Sequence, residues 1–566
     1  MLLRLFILLI SATTLAQTDY PKDYFRSPLD IPLFLSGTFG ELRGNHFHTG
    51  LDFKTQQTEG LNVYAVADGY VSRIKISTWG YGKAIYITHP NGFTTVYGHL
   101  QKASPAIEAY IKKSQYAQKS YEVEMIPTEN ELLVKKGDVI ALSGNSGGSG
   151  GPHLHFEFRD SKTEKIINPM FFGFDVQIAD SRPPVINNLI VYPIGDSSSV
   201  NQIRKPIEAT LSQQKDGSYI TQKIKASGKI AFGVNTYDLF DKSYNKNGVF
   251  KVEAFSNGKP FYSYTFNTLS FDEGRFINAL LDYPRFKRTG QRIQRLFMTE
   301  PYLLSIINPG KAYGMIEVTP NLYQNLRIEV SDFHNNKSTI QIPIEYSSLP
   351  AVPAEPIVKS DYFLKARKEH SYAKDNVSVT IPAGTFYDDF YIDFDVKDSV
   401  LYLHNQSVPV HNNMTITFDN VQLSDADREK SFIASVDGNR VRYNKTYKKG
   451  NSFTIYTKDL GKFIISKDTT APRITNPNFV AGKWISGQRT IQVEISDNLS
   501  GIDTYNAYLN GKWILMEYDY KTKKLTYDFS DDIADDGRND LKIVVSDNIG
   551  NSTTFESHFF RSKNTK

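Results

Sequence analysis

The sequence predicts a mainly β chain divided into several domains, and three observations carry that expectation. Short runs of alternating polarity recur to the end of the chain, among them Ile491-Gln492-Val493-Glu494-Ile495 and Leu541-Lys542-Ile543-Val544-Val545. Asn-Gly pairs sit between such runs, at Asn257-Gly258 and Asn510-Gly511, and are two-residue hairpin signals. Aromatic residues make up 13% of the chain, with 34 Tyr and 36 Phe, which suits half-buried pleated faces. With 566 residues the chain exceeds what one core serves, so about three to five domains are expected.

Residues 1–16 read as a secretory signal peptide. Arg4 precedes the apolar run Leu5-Phe6-Ile7-Leu8-Leu9-Ile10, and Thr14-Leu15-Ala16 offers a small-residue cleavage site. That run is too short for a permanent span, and no later stretch approaches the roughly 20 apolar residues a span needs. The expectation is a mature chain without an integral membrane segment, secreted across the inner membrane into the periplasm or cell envelope. No cysteine follows the apolar run, which excludes a lipoprotein anchor.

Residues 17–34, rich in Pro, Asp and Tyr, form a lead-in to a first domain over 35–180, which holds six of the eleven histidines. The boundary run Asp180-Ser181-Arg182-Pro183-Pro184 opens a β-sandwich domain over 183–347. A proline-rich linker around 349–356 leads to a β domain over 357–468, and Asp468-Thr469-Thr470-Ala471-Pro472 is the next seam. The last domain, 470–562, repeats the order of the second: an alternating strand ending in Asp (Asp238, Asp497), an Asn-Gly hairpin, and a strand ending in Ser-Asp (Ser331-Asp332, Ser546-Asp547). These two regions resemble bacterial immunoglobulin-like repeats.

Charge and cysteine content narrow the chemistry. There are 65 basic and 61 acidic side chains, a net charge of +4 without a basic cluster, so nothing calls for a nucleic-acid partner. The absence of cysteine excludes disulfides and thiol catalysis and leaves histidine and carboxylate as the zinc ligands available.

The densest chemistry lies in residues 151–157, Gly151-Pro152-His153-Leu154-His155-Phe156-Glu157. Alternation predicts a strand with Leu154, Phe156 and Phe158 on one face and His153, His155 and Glu157 on the other. Same-face neighbours on a strand stand roughly 6 to 7 Å apart. The run Gly144-Asn145-Ser146-Gly147-Gly148-Ser149-Gly150 before them permits close approach of backbone to a ligand. Upstream stands His48-Thr49-Gly50-Leu51-Asp52, where a bend at Gly50 would bring His48 and Asp52 together; fully extended they would be about 13 Å apart. A third piece is Tyr97-Gly98-His99-Leu100.

These motifs, in this order, resemble the lysostaphin/LytM-type zinc metallopeptidase family. The likeness covers about residues 35–172 and includes Val63-Tyr64-Ala65-Val66-Ala67-Asp68-Gly69 and Val134-Lys135-Lys136-Gly137-Asp138. The resemblance implies an antiparallel β metallopeptidase domain followed by three β-sandwich-like domains. It implies His48, Asp52 and His155 as zinc ligands, with His99 and His153 as catalytic residues flanking the fourth coordination position. The implied activity is endopeptidase cleavage of peptide cross-links in bacterial peptidoglycan by a metal-activated water, with envelope protein partners open to the β domains. Other readings are a catalytically silent scaffold of the same fold and an envelope glycan- or partner-binding protein.

The sequence departs from the family's compact pattern at an insertion, about residues 101–133, expected to be partly helical. It either walls the cleft or decorates the surface. His46 is a weaker candidate ligand than His48. His89 is expected in an exposed His-Pro-Asn-Gly turn, and His334, His370, His404, His411 and His558 on β-domain surfaces.

Overall fold

The computed structural model describes residues 20–320, 323–352 and 359–562. The expected signal peptide at 1–16 and part of the proline-rich linker lie outside the described residues. Within them, no helix is long and apolar enough to cross a membrane.

In the N-terminal unit the strand His153–Asp160 runs antiparallel between Leu51–Lys54 and Phe93–Gly98, and the sheet continues through Lys83–Thr88 and Gly69–Ile76. The alternation read from sequence decides which face is buried. Leu154, Phe156 and Phe158 are fully buried and pack with Phe53, Phe172 and Phe174; Phe158 stacks on Phe172 at 3.9 Å. Each such ring contributes about 1.5–3 kcal/mol by leaving water. That apolar floor holds the opposite face, with its histidines, rigid. A small second sheet joins Asn62–Tyr64, Val139–Leu142 and Lys102–Ala103. The lead-in belongs to this core, where Phe25, Leu29 and Leu33 are buried.

The insertion carries the helix Pro105–Gln118, started by proline in its first turn and ended at Lys119 with φ of 49°. Its Ile107, Ile111 and Gln115, four apart, are buried. Tyr116 meets Trp513 edge-to-face at 5.4 Å, and Lys112 Nζ donates to Ser530 at 3.3 Å. The helix therefore abuts the last β unit.

The second unit curls a 12-stranded sheet around one core, with Val185–Val200 paired along Ile224–Tyr237. Its hairpin at Asn257-Gly258 has φ of 48° and 80°, the left-handed pair that a tight two-residue turn demands. Ile166–Ile167 of the first unit pairs with Thr268–Leu269 of the second, so one ladder stitches the two together. The third unit encloses one core between two five-stranded sheets, with Val379 and Ile416 from one and Leu401 and Phe463 from the other. The fourth does the same between two four-stranded sheets.

Candidate metal centre and active site

Strand register brings the site together. Asp52 and Gly98 are the cross-strand partners of His155 on either side. Directly opposed residues point to the same face, so Asp52 and His155 meet above the sheet. His48 reaches them through a bend at Gly50, where any side chain would collide with backbone: a Cβ there would stand 2.3 Å from the Phe156 carbonyl oxygen. His99 follows the strand end with φ of 58°, a left-handed conformation rare outside glycine. Its ring lies 4.7 Å from that of His153 and 5.8 Å from that of His155.

Three buried donor atoms converge. His48 Nε2 is 3.0 Å from Asp52 Oδ1 and 3.1 Å from His155 Nδ1, and His155 Nδ1 is 2.9 Å from Asp52 Oδ1. Ligands of one tetrahedral zinc, each at about 2.0–2.1 Å, stand roughly 3.3 Å apart, so the triangle is close to that size. The far nitrogens decide the protonation pattern. His48 Nδ1 donates to the Thr38 carbonyl at 2.8 Å, and His155 Nε2 donates to Glu157 Oε1 at 2.8 Å. With those far nitrogens committed, the other nitrogen of each ring faces Asp52, where its lone pair would serve a metal that displaces the proton. The residues present therefore fit a zinc ion.

Charge around the triangle is balanced without it. Burial would raise Asp52, but the His48 charge and hydrogen bonds from His153, His155 and His48 hold it well below the usual carboxylate range. Arg43 Nη2 pairs with its other oxygen at 3.2 Å. Burial pulls His155 down, yet Asp52 and Glu157 prevail and raise it to about 9 in the metal-free chain. Glu157 is fully buried and also accepts from Thr49, Tyr81 and Arg159.

His99 and His153 share one arrangement. His99 Nδ1 donates to the Ser146 carbonyl and His153 Nδ1 to the Gly151 carbonyl, both at 2.8 Å. That leaves the Nε2 of each ring free of backbone, that of His153 standing 3.5 Å from Asp52 Oδ1. Burial, with His155 and His153 nearby, pushes His99 down to about 3, so it is neutral at ordinary pH. One of these carbonyls lies in the glycine-rich run and the other on Gly151 just after it.

These side chains line a cleft of about 530 Å³. Its walls include His46, which stays out of the donor triangle, and Leu269, Ser270, Phe271 and Gly274 of the second unit. The glycine-rich run is also held from outside: Lys521 of the last unit donates to the Asn145 carbonyl and, at 3.3 Å, to that of Ser149. Nearby, the rings of Trp79 and Tyr520 lie 3.8 Å apart, tilted by 33°.

Several expectations need correction. His89 is 2% exposed: the turn folds beneath Phe25, its Nδ1 donates to the Asp68 carbonyl, and Thr95 Oγ1 stands 2.8 Å from Nε2. The insertion does not line the cleft, because its helix faces the last unit. His334 and His411 are engaged at junctions rather than free on the surface, with His334 donating to the Asp175 carbonyl and His411 packed on Phe276. Alternation placed Glu157 on the histidine face but assigned it no role; Arg43 and Tyr81 were not singled out, and nothing local marks them.

Comparison with known proteins agrees with this geometry. The model of peptidase family M23 matches residues 46–123, and that of a Zu5-like domain matches 361–468. An uncharacterized metalloprotease of Haemophilus influenzae is 33% identical over 155 residues, 26% of this chain and 27% of that protein. The DD-carboxypeptidase/endopeptidase Mpg of Neisseria meningitidis serogroup B is 37% identical over 112 residues, 20% of each chain. The murein hydrolase activator EnvC of Escherichia coli is 31% identical over 114 residues, again 20% of each. The chain thus spans about a quarter or less of the length of these relatives. The chain carries an N-terminal domain of peptidase family M23, of the lysostaphin/LytM type, and a Zu5-like domain further along.

Proposed function

We propose that the chain is a zinc-dependent endopeptidase that hydrolyses peptide cross-links of peptidoglycan after export to the periplasm or cell envelope. The observation that carries this reading is the donor triangle of His48, Asp52 and His155, whose imidazoles are anchored by their far nitrogens in the orientation that metal ligands take. These three residues would hold the ion. When bound, zinc supplies Lewis acidity that polarises a carbonyl and brings a water nucleophile's pKa to about 7.

The chain's own groups supply positioning and proton traffic. His99 and His153 have their Nδ1 atoms tied to backbone, and His99, kept neutral by burial, offers Nε2 as an acceptor. A ring that takes a proton there becomes a donor to the developing oxyanion or the leaving amine. Glu157 keeps His155 in register, and Arg43 holds Asp52. The cleft walls from the second unit and the glycine-rich run would receive an extended peptide. The reading extends to domain bounds of 35–180, 183–347, 357–468 and 470–562, with the second and last as immunoglobulin-like spacers or docking sites for envelope proteins.

Similarity to a murein hydrolase activator favours a second reading, in which the domain binds a partner without cutting. The complete donor set argues against it. Incubating the chain with purified peptidoglycan sacculi, with and without a zinc chelator, and identifying the fragments by mass spectrometry separates the two. Chelator-sensitive loss of cross-linked dimers with intact glycan strands is expected. Zinc-loaded protein that releases nothing, with or without its β units, would favour the activator.

A further inference from the structure

A second convergence of ligand atoms lies where the N-terminal unit meets the second one. Ligand atoms of Asp180, Asp332 and His334 lie within 4.8 Å of one another. Asp180 belongs to the segment leaving the first unit, while Asp332 and His334 sit in the turn after the strand Gln324–Ser331. The carboxylate of a fourth residue, Asp238, faces this group from the end of the strand Ile224–Tyr237.

Asp238 makes the cluster more than a patch of acids. It is 1% exposed, and neither carboxylate oxygen has a well-formed hydrogen-bond donor. The polar groups beside it are its neighbour's N–H, of Leu239, and the carboxylates of Asp180 and Asp332. Asp180 Oδ2 is likewise buried without a partner, and Asp241 adds negative charge on its far side. Asp332 is held by Asn336, whose backbone N–H and side-chain amide donate at 2.9 and 2.8 Å. Of the groups that act most strongly on these carboxylates, His334 is the one candidate cation. His334 donates Nε2–H to the Asp175 carbonyl at 2.9 Å, and its Nδ1 is buried and unpartnered.

Carboxylates crowded in a buried site must either share protons or hold a cation, because uncompensated burial costs several kcal/mol per ion. A proton shared between Asp238 and Asp180 would satisfy one oxygen of each and would leave the second oxygen of Asp238 and His334 Nδ1 unsatisfied. A histidine whose far N–H is anchored on a backbone carbonyl is the usual supporting arrangement of a metal ligand. We propose that a divalent cation binds here between Asp180, Asp332 and His334 Nδ1, with the buried carboxylate of Asp238 beside them adding negative charge, and clamps the second unit onto the N-terminal one. Three carboxylates make the surroundings oxygen-dominated, suited to calcium or manganese. The clamp bears on the cleft, since the unit it holds supplies Leu269, Ser270, Phe271 and Gly274 to the wall. It does not depend on the zinc reading.

At the other seam a similar cluster is more nearly satisfied, with Asp497 Oδ1 its one buried carboxylate oxygen without a partner. Asp468, Asp497 and Asp547 also converge, but each accepts backbone N–H groups, from Thr470 and Ser500, from Leu499 and Gly501, and from Ile549 and Asn551. No proposal is attached to it.

The test uses the full chain carrying His48→Ala to disable the first centre, stripped with chelator and then dialysed against calcium or manganese. About one retained ion per chain by elemental analysis, and a rise in Tm of several degrees, are expected. Asp238→Asn, isosteric and uncharged, should lose both the ion and the shift. A response to both metals marks an oxygen-dominated site, and a response to manganese alone marks His334 as a strong ligand. The proposal is overturned if neither metal is retained or shifts Tm, or if Asp238→Asn leaves the response unchanged. Should Asp238→Asn fail to fold, the His48→Ala chain still decides through its stoichiometry.

Discussion

Glu157 Oε1 accepts the Nε2–H of His155 at 2.8 Å from a position two residues along the same strand. One backbone alternation thus places a ligand and the group that sets its tautomer side by side. Substituting Glu157→Gln should lower metal affinity by about 10–100-fold, measured by competition with a chromogenic chelator. Glu157→Ala should cost more, about 3–5 kcal/mol of stability, because Arg159 would stay buried without its carboxylate.

His99→Ala and His153→Ala should separate binding from turnover. Neither residue belongs to the donor triangle, so metal content by elemental analysis should match that of the unaltered chain. Peptide cleavage should fall about 10²–10³-fold in each. Loss of the metal in either variant would reassign that residue as a ligand.

Gly50→Ala should destabilise the N-terminal unit by about 1–3 kcal/mol. The added Cβ would face the Phe156 carbonyl at 2.3 Å, on the strand that carries His155. A lowered Tm together with weakened metal binding is expected, since the bend that joins His48 to Asp52 must shift.

His89 gives the N-terminal unit a pH dependence. Burial pushes it down to about 4, against the smaller opposing pull of the Asp68 carbonyl. Between its ordinary value of about 6.5 and about 4, the unfolded chain binds a proton that the folded chain refuses. Stability is therefore whole above that window and is lost as pH falls through it, by at most about 3 kcal/mol. His89→Gln cannot titrate, so the Tm advantage of the unaltered chain should be largest near pH 7.5 and should shrink toward pH 4.5.

How much of the site was legible depends on how local its causes are. His48, Asp52, His99, His153 and His155 could be named because each stands in a short motif whose spacing is visible along the chain. Tyr81 and Arg43 could not, because their contacts with Glu157 and Asp52 depend on separate segments folding together. His89 was misread for the same reason. Its turn signals were correctly local, but the cover came from Phe25 of the lead-in.

The sequence by itself determined the mainly β character, the hairpins at Asn257-Gly258 and Asn510-Gly511, and the two faces of the strand His153–Asp160. Alternation and turn chemistry act between near neighbours, and no later packing reverses them. Tertiary structure alone decided where the units touch: the insertion helix on the last unit, Lys521 on the glycine-rich run, Phe271 in the cleft wall, and Asp238 facing Asp180 across a seam. Those contacts join residues tens to hundreds of positions apart, and only the packing of whole sheets sets them.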